Sequence, residues 1–307
     1  MGSEKFRHFS FLAVGFLFGL NSWAQDSAGS GPREIFVPVR EFKIPFELSS
    51  PQVQDGSILV VKLHVPEKYR QEKFTAKFEE TALPVYPAPR VGEDVFEMVV
   101  GVPYAHDAGS AKIQLSVGEF GKMEIPFSVV VGKYDSEQLK VAPGKVNPKK
   151  TDMKRINADI KEVSEIYRKL TPTKYWDGKF DLPIHSSFTS YFGTKRMYNG
   201  ERRSFHPGLD FKAKVGTEIH APAGGIVALA KDLFFTGNTV MIDHGYGVVT
   251  LYAHMSRLNV KKGDIVKAQD LLGLSGMTGR VSGPHLHWGA IIHKQKVNPM
   301  DLTKVME

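Results

Sequence analysis

At 307 residues, 42% hydrophobic and 24% charged, the chain is long enough for two globular domains and ordinary in composition. Its formal charge of +7 suits an anionic environment or partner. No recognition-helix signature, aromatic-basic pattern or basic tail accompanies that charge, which sets nucleic acid aside. The absence of cysteine excludes disulfides, thiolate zinc sites and a lipid-modified cysteine together.

Lys5 and Arg7 precede an apolar run from Phe9 to Leu20, and Ser22-Trp23-Ala24 then places small residues at the two positions a signal peptidase reads. The run is too short to span a bilayer comfortably. Residues 1–24 are therefore expected to be a cleaved secretory signal, making the mature protein periplasmic or secreted with no stable membrane insertion. Residues 25–34 read as a flexible mature N-terminus.

Residues 35–133 read as strands separated by turns. Ile58–Val65, Phe74–Phe78, Val95–Val100, Ala111–Val117 and Met123–Val129 are the candidates, several alternating apolar with polar. Asp55-Gly56, Gly92, Asp107-Ala108-Gly109 and Gly118 punctuate them, and the spacing predicts a small antiparallel β-sandwich of immunoglobulin type. His64 and His106 stand alone and read as surface or turn residues. Residues 134–180 read as a linker, rich in lysine and proline at first, then carrying an amphipathic helix at about 152–170. Its stripe is Ile156, Ile160, Val163, Tyr167 and Leu170, expected to pack on the chain's own domains rather than to form a coiled coil.

Residues 181–307 return to strands, turns and glycines, predicting an antiparallel β-sheet domain with an open groove, so that the whole chain is mainly β. Three histidine clusters and one carboxylate lie in this segment: His206-Pro207-Gly208-Leu209-Asp210, Tyr252-Ala253-His254 and Gly283-Pro284-His285-Leu286-His287-Trp288. Pro207-Gly208 argues against a helix, and on an extended chain the even spacings put each pair on one face. Imidazole and carboxylate are ligands for divalent metals. His185, His220 and His293 lack such company and read as surface or turn residues, while His244, between Asp243 and Gly245, reads as turn-stabilising.

In their order and density these motifs resemble the lysostaphin/LytM-type zinc metalloendopeptidases, which cut peptidoglycan peptides. The likeness covers about residues 183–300 and extends to Ser190-Tyr191-Phe192-Gly193, Arg196, Asn199-Gly200, Gly237-Asn238 and Gly276-Met277-Thr278-Gly279. It implies a single Zn²⁺ held by His206, Asp210 and His287, with a fourth position for water, and His254 and His285 as the non-ligand catalytic pair. One of the two would take the proton of the water; the other would bind the oxyanion or protonate the leaving amine, and the division stays open. Tyr252, Arg196 and Asn238 are candidate substrate contacts, each with an alternative in packing, ion pairing or turn formation.

The resemblance thus implies an exported zinc endopeptidase acting as a monomer on peptidoglycan, with residues 35–170 either leaving the groove open or blocking it in a latent form. Two other functions compete. A catalytically silent or occluded relative would regulate cell-wall amidases; the complete ligand set argues against silence. A swinging-arm carrier domain would explain the turn-and-strand pattern of Val260–Gln269, but the modified-lysine hairpin does not follow.

Overall fold

The computed structural model describes residues 42–89, 91–139, 148–200 and 202–306. The expected signal and mature N-terminus lie outside the described residues. Residues 42–307 pack as one compact unit.

The upstream strands form two sheets. One has the order Phe46–Leu48, Ile58–His64, Val95–Gly101, Tyr86–Pro87; the other runs Gln52–Gln54, Gly121–Val130, Gly109–Val117, Phe74–Phe78, Thr81–Leu83. Leu59, Val61 and Leu63 from the first meet Ile113, Leu115, Ile125 and Phe127 from the second in one core, the arrangement of a sandwich. Gln52–Gln54 pairs parallel with Gly121–Val130, a departure from the all-antiparallel expectation. A three-residue strand with one apolar side chain gives no periodic signal to predict.

The unbroken apolar run Ile58-Leu59-Val60-Val61 is buried on both faces. Its odd-numbered residues enter the sandwich core, whereas Ile58 and Val60, with Val99, join the core of the C-terminal sheet. The Ile58 N–H also donates to Asp301 Oδ2 at 3.1 Å, and Tyr86 stacks on Tyr246 with centroids 3.8 Å apart.

The C-terminal sheet has eight strands. Its main path is Phe188–Ser190, Gly208–Lys212, His285–Ile292, Val248–Met255, Gly237–Gly245, Gly225–Leu233, Ile265–Val266, with Gln295–Val297 pairing beside His285–Ile292. All its pairs are antiparallel. One face carries Leu209, Phe211, Val240, Tyr252 and Trp288 into the core shared with Ile58 and Val60. The other buries Leu229, Met241, Val249, Leu251 and Ile291 beneath Val163, Ile166 and Tyr167 of the Met153–Arg168 helix. The helix stripe therefore packs on the chain itself, although Ile160 and Leu170 are exposed and Ile166 takes a place in the contact.

The linker also differs from expectation. Ser136–Leu139 is a strand, paired parallel with Lys195–Tyr198, which pairs in turn with Arg202–Phe205. Ser-Glu-Gln-Leu has no apolar alternation, so only its partner strand reveals it. Among the described residues, no helix is long and apolar enough to cross a membrane.

Candidate metal centre

Three neighbouring strands bring the histidine clusters together. Asp210 lies opposite His287 in the pairing of Gly208–Lys212 with His285–Ile292, and His287 lies opposite Ala253 on the next strand. His206 stands just before Gly208–Lys212, its backbone held by N–H donation to the Thr194 carbonyl at 2.9 Å and acceptance from the Gly193 N–H at 2.8 Å. Gly208 is required for space: a Cβ there would stand 2.4 Å from the Trp288 carbonyl oxygen and 2.8 Å from the His287 ring.

His206 Nε2 is 2.9 Å from Asp210 Oδ1 and 2.9 Å from His287 Nδ1, and His287 Nδ1 is 2.8 Å from Asp210 Oδ1. Three donor atoms thus form a nearly equilateral triangle, and these residues are the group among the described residues able to hold a metal ion. Tetrahedral zinc with bonds of about 2.0–2.1 Å would separate its ligand atoms by about 3.3 Å, so a small outward relaxation fits the ion. The donor chemistry also fits: His206 Nδ1 faces the Tyr191 carbonyl at 3.0 Å, so its N–H donates there and Nε2 keeps its lone pair for a metal.

The ligands are secluded, with His206 0%, Asp210 6% and His287 9% exposed. Burial pushes His206 down to about 4, which keeps it neutral and able to ligate at neutral pH. Burial works against the Asp210 carboxylate, but the close approach of the His206 and His287 imidazoles outweighs it and holds the group well below the usual carboxylate range.

Two further imidazoles stand beside the triangle. His254 and His285 have ring centroids 4.8 Å apart, and His285 Nε2 is 3.8 Å from Asp210 Oδ1. His254 Nδ1 is 2.9 Å from the Thr278 carbonyl and His285 Nδ1 is 2.9 Å from the Gly283 carbonyl. Each donates Nδ1–H to its carbonyl, which leaves Nε2 as the basic nitrogen. Burial, followed by the charges of His287 and His285, pushes His254 down to about 3.

The candidate substrate contacts fare differently. Tyr252 is fully buried in the core, with its hydroxyl 2.8 Å from Thr250 Oγ1, so it does not face the site and the substrate role is withdrawn. The even spacing misleads there because pairing slips between Asn238 and Val240 and His254 adopts φ +64°, which breaks the two-residue alternation. Arg196 is in the site but engaged: Nη2 donates to Asp210 Oδ2 and Ser190 Oγ, both at 2.9 Å, while Nε donates to Glu137. Asn238 is placed by its backbone, whose N–H donates to Thr278 Oγ1 at 2.9 Å. His244 is buried in the core, where Nδ1–H donates to the Gly224 carbonyl and Nε2 accepts from Thr250, both at 2.7 Å. His293 occupies a turn as expected but is buried rather than at the surface.

The residues missed from sequence are positioning groups. Thr278 holds His254 by its carbonyl and ties Asn238 to Met255 by its hydroxyl, and Glu137 reaches Arg196 from the linker strand. Thr278 lies in a quoted motif, Gly276-Met277-Thr278-Gly279, whereas Glu137 has no motif around it. A cavity of about 630 Å³ is lined in part by Tyr104, Glu137, Arg196, Met197 and Phe205.

Comparison with known proteins gives the site a family. Residues 204–299 match the model of peptidase family M23. Peptidoglycan DD-endopeptidase ShyA of Vibrio cholerae is 38% identical over 121 residues, covering 38% of this chain and 28% of ShyA. The chain thus matches less than a third of that relative's length. The catalytic domain of the prophage-encoded M23 protein EnpA of Enterococcus faecalis is 32% identical across 95% of that domain and 39% of this chain, with a TM-score of 0.34. A Pseudomonas aeruginosa protein described as an M23 peptidase superposes with a TM-score of 0.63 at 29% identity, covering 82% of this chain and 95% of its own. The last match includes residues upstream of the peptidase segment, since 82% of the chain exceeds what residues 181–307 supply. With this sequence match and a His206–Asp210–His287 triangle inside it, residues 204–299 form a peptidase family M23 domain within the chain.

Proposed function

We propose that the chain is an exported, zinc-dependent endopeptidase that hydrolyses amide bonds in peptidoglycan peptides, their cross-links being the favoured target. The observation that carries this reading is the triangle of donor atoms with two basic imidazole nitrogens beside it. ShyA, 38% identical over 121 residues, is named a peptidoglycan DD-endopeptidase, and the net positive charge would help this chain dwell on an anionic wall.

A zinc ion held by His206, Asp210 and His287 would polarise the scissile carbonyl and make a water acidic enough to attack near neutral pH. His254, kept neutral by burial and oriented by Thr278, accepts the proton of the attacking water at Nε2. His285, oriented by Gly283 and more open at 18% side-chain exposure, in its protonated form donates from Nε2 to the developing oxyanion or the leaving amine. The complete set argues against a catalytically silent regulator.

The test is zinc content together with mass spectrometry of muropeptides after incubation of the purified chain with peptidoglycan. One zinc per chain and release by the wild type but not by His206→Ala are expected. Equal release by His206→Ala would overturn the metal-dependent reading.

A further inference from the structure

The Ser136–Leu139 strand lies outside the family match at 204–299, yet it reaches the metal centre. Its register on Lys195–Tyr198 sets Glu137 opposite Arg196, and the Lys195 N–H donates to the Asp135 carbonyl at 2.8 Å to hold that register. Glu137 Oε1 accepts from Arg196 Nε. Arg196 Nη2 then donates to Asp210 Oδ2, on the side of the carboxylate away from the imidazoles, which meet Oδ1. Ser190 Oγ forms a second branch, 3.4 Å from Glu137 Oε1 and 3.2 Å from His206 Nδ1. One carboxylate therefore touches the supporting partners of two candidate ligands.

The charge balance gives this contact a purpose. A guanidinium beside Asp210 competes with a metal cation for the same carboxylate. With side-chain exposures of 14% for Arg196 and 29% for Glu137, the pair is less screened than an ordinary surface ion pair. Glu137 offsets the guanidinium charge and holds its plane away from Oδ1, leaving Asp210 the stronger donor. Without Glu137, Arg196 would press an uncompensated charge on the metal and could turn toward Oδ1.

We propose that Glu137 is a positioning residue of the metal centre, acting through Arg196 and Ser190, so that the strand linking the sandwich to the peptidase sheet sets metal affinity. The inference rests on the zinc reading given above. Outer-sphere partners of metal ligands typically control affinity by about 10–100-fold.

The experiment is zinc titration of the full chain against a chromogenic chelator, with thermal unfolding of the metal-free proteins in parallel. Glu137→Gln is expected to weaken zinc binding about 10–100-fold with little change in metal-free unfolding. Glu137→Asp, which keeps the charge on a shorter arm, should lose less and serves if Glu137→Gln folds poorly. In an Arg196→Gln background, where no guanidinium remains beside Asp210, Glu137→Gln should weaken zinc binding less than it does in the wild type, acting only through Ser190. Glu124→Gln, which breaks the exposed Lys112 pair, should bind zinc like the wild type. Wild-type affinity in both Glu137 variants, or full additivity with Arg196→Gln, overturns the proposal while leaving the zinc reading intact. A wild-type chain that binds no zinc overturns both.

Discussion

Tyr252 and His254 stand two residues apart on one strand but serve opposite sides of the fold. Tyr252 is 0% exposed and bonds Thr250, whereas His254 at φ +64° turns its ring to within 4.8 Å of His285. The strand thus supplies a core hydroxyl network and an imidazole beside the candidate metal centre from neighbouring positions.

Substitution should separate these roles. Tyr252→Phe removes one buried hydroxyl and is expected to cost about 1 kcal/mol of stability in urea denaturation. Muropeptide release should stay within about threefold of wild type, since the ring still fills its place in the core. His254→Asn tolerates the left-handed backbone and should lower kcat by about 10²–10⁴ with zinc retained. Loss of activity in Tyr252→Phe with normal stability would restore a substrate role to the tyrosine.

The Met153–Arg168 helix offers a contrast within one stripe. Ile166 packs on the outer face of the peptidase sheet, while Ile160 is 55% exposed. Ile166→Ala should cost about 2 kcal/mol, near the low end for a large-to-small change because the site is partly open. Ile160→Ala should stay within about 0.5 kcal/mol. Equal losses, read from denaturation midpoints, would mean that the helix does not rest on the sheet as described.

These cases show what sequence can and cannot carry. The donor triangle is legible because His285-x-His287 falls within one strand and Asp210 within the strand paired to it, with His206 just ahead of that strand. Even spacing fails at Tyr252-x-His254, where a local slip in pairing redirects one side chain. Periodicity finds the helix and most of its face but cannot choose between Ile160 and Ile166, because the sheet beneath covers only part of the stripe. Glu137 is invisible for a different reason: a polar strand of four residues has no pattern until Lys195–Tyr198 lies beside it.

The buried His244 predicts a pH dependence of stability away from the metal. Burial lowers it to about 4 against an ordinary value of 6.5, so the unfolded chain binds its proton first as pH falls. The folded state keeps its full advantage above about pH 6.5 and loses it progressively toward pH 4, with no further change below. The loss attributable to this residue is on the order of 3 kcal/mol. His244→Gln removes the titration, so the stability gap between wild type and variant should narrow from pH 7.5 to pH 4 in chelator-treated samples. A gap that widens on acidification would contradict the assignment of His244 as a neutral bridge between Gly224 and Thr250.

Deletion of everything before Asp181 distinguishes a supporting upstream region from a brake. The deletion removes Glu137 from Arg196, and it strips Ile58, Val60, Val99 and Trp176 from the core that also holds Leu209, Tyr252 and Trp288. It also ends the Lys174 to Glu97 ion pair at 3.3 Å and the Tyr86 stack on Tyr246. Apolar surface worth about 25 cal/mol per Å² would become exposed along one face of the sheet. The shortened chain should therefore unfold at a lower temperature, bind zinc more weakly and release fewer muropeptides per mole than the full chain. Higher release at undiminished zinc affinity would instead identify the upstream residues as an inhibitory cover, and the supporting role assigned to Glu137 would fall with it.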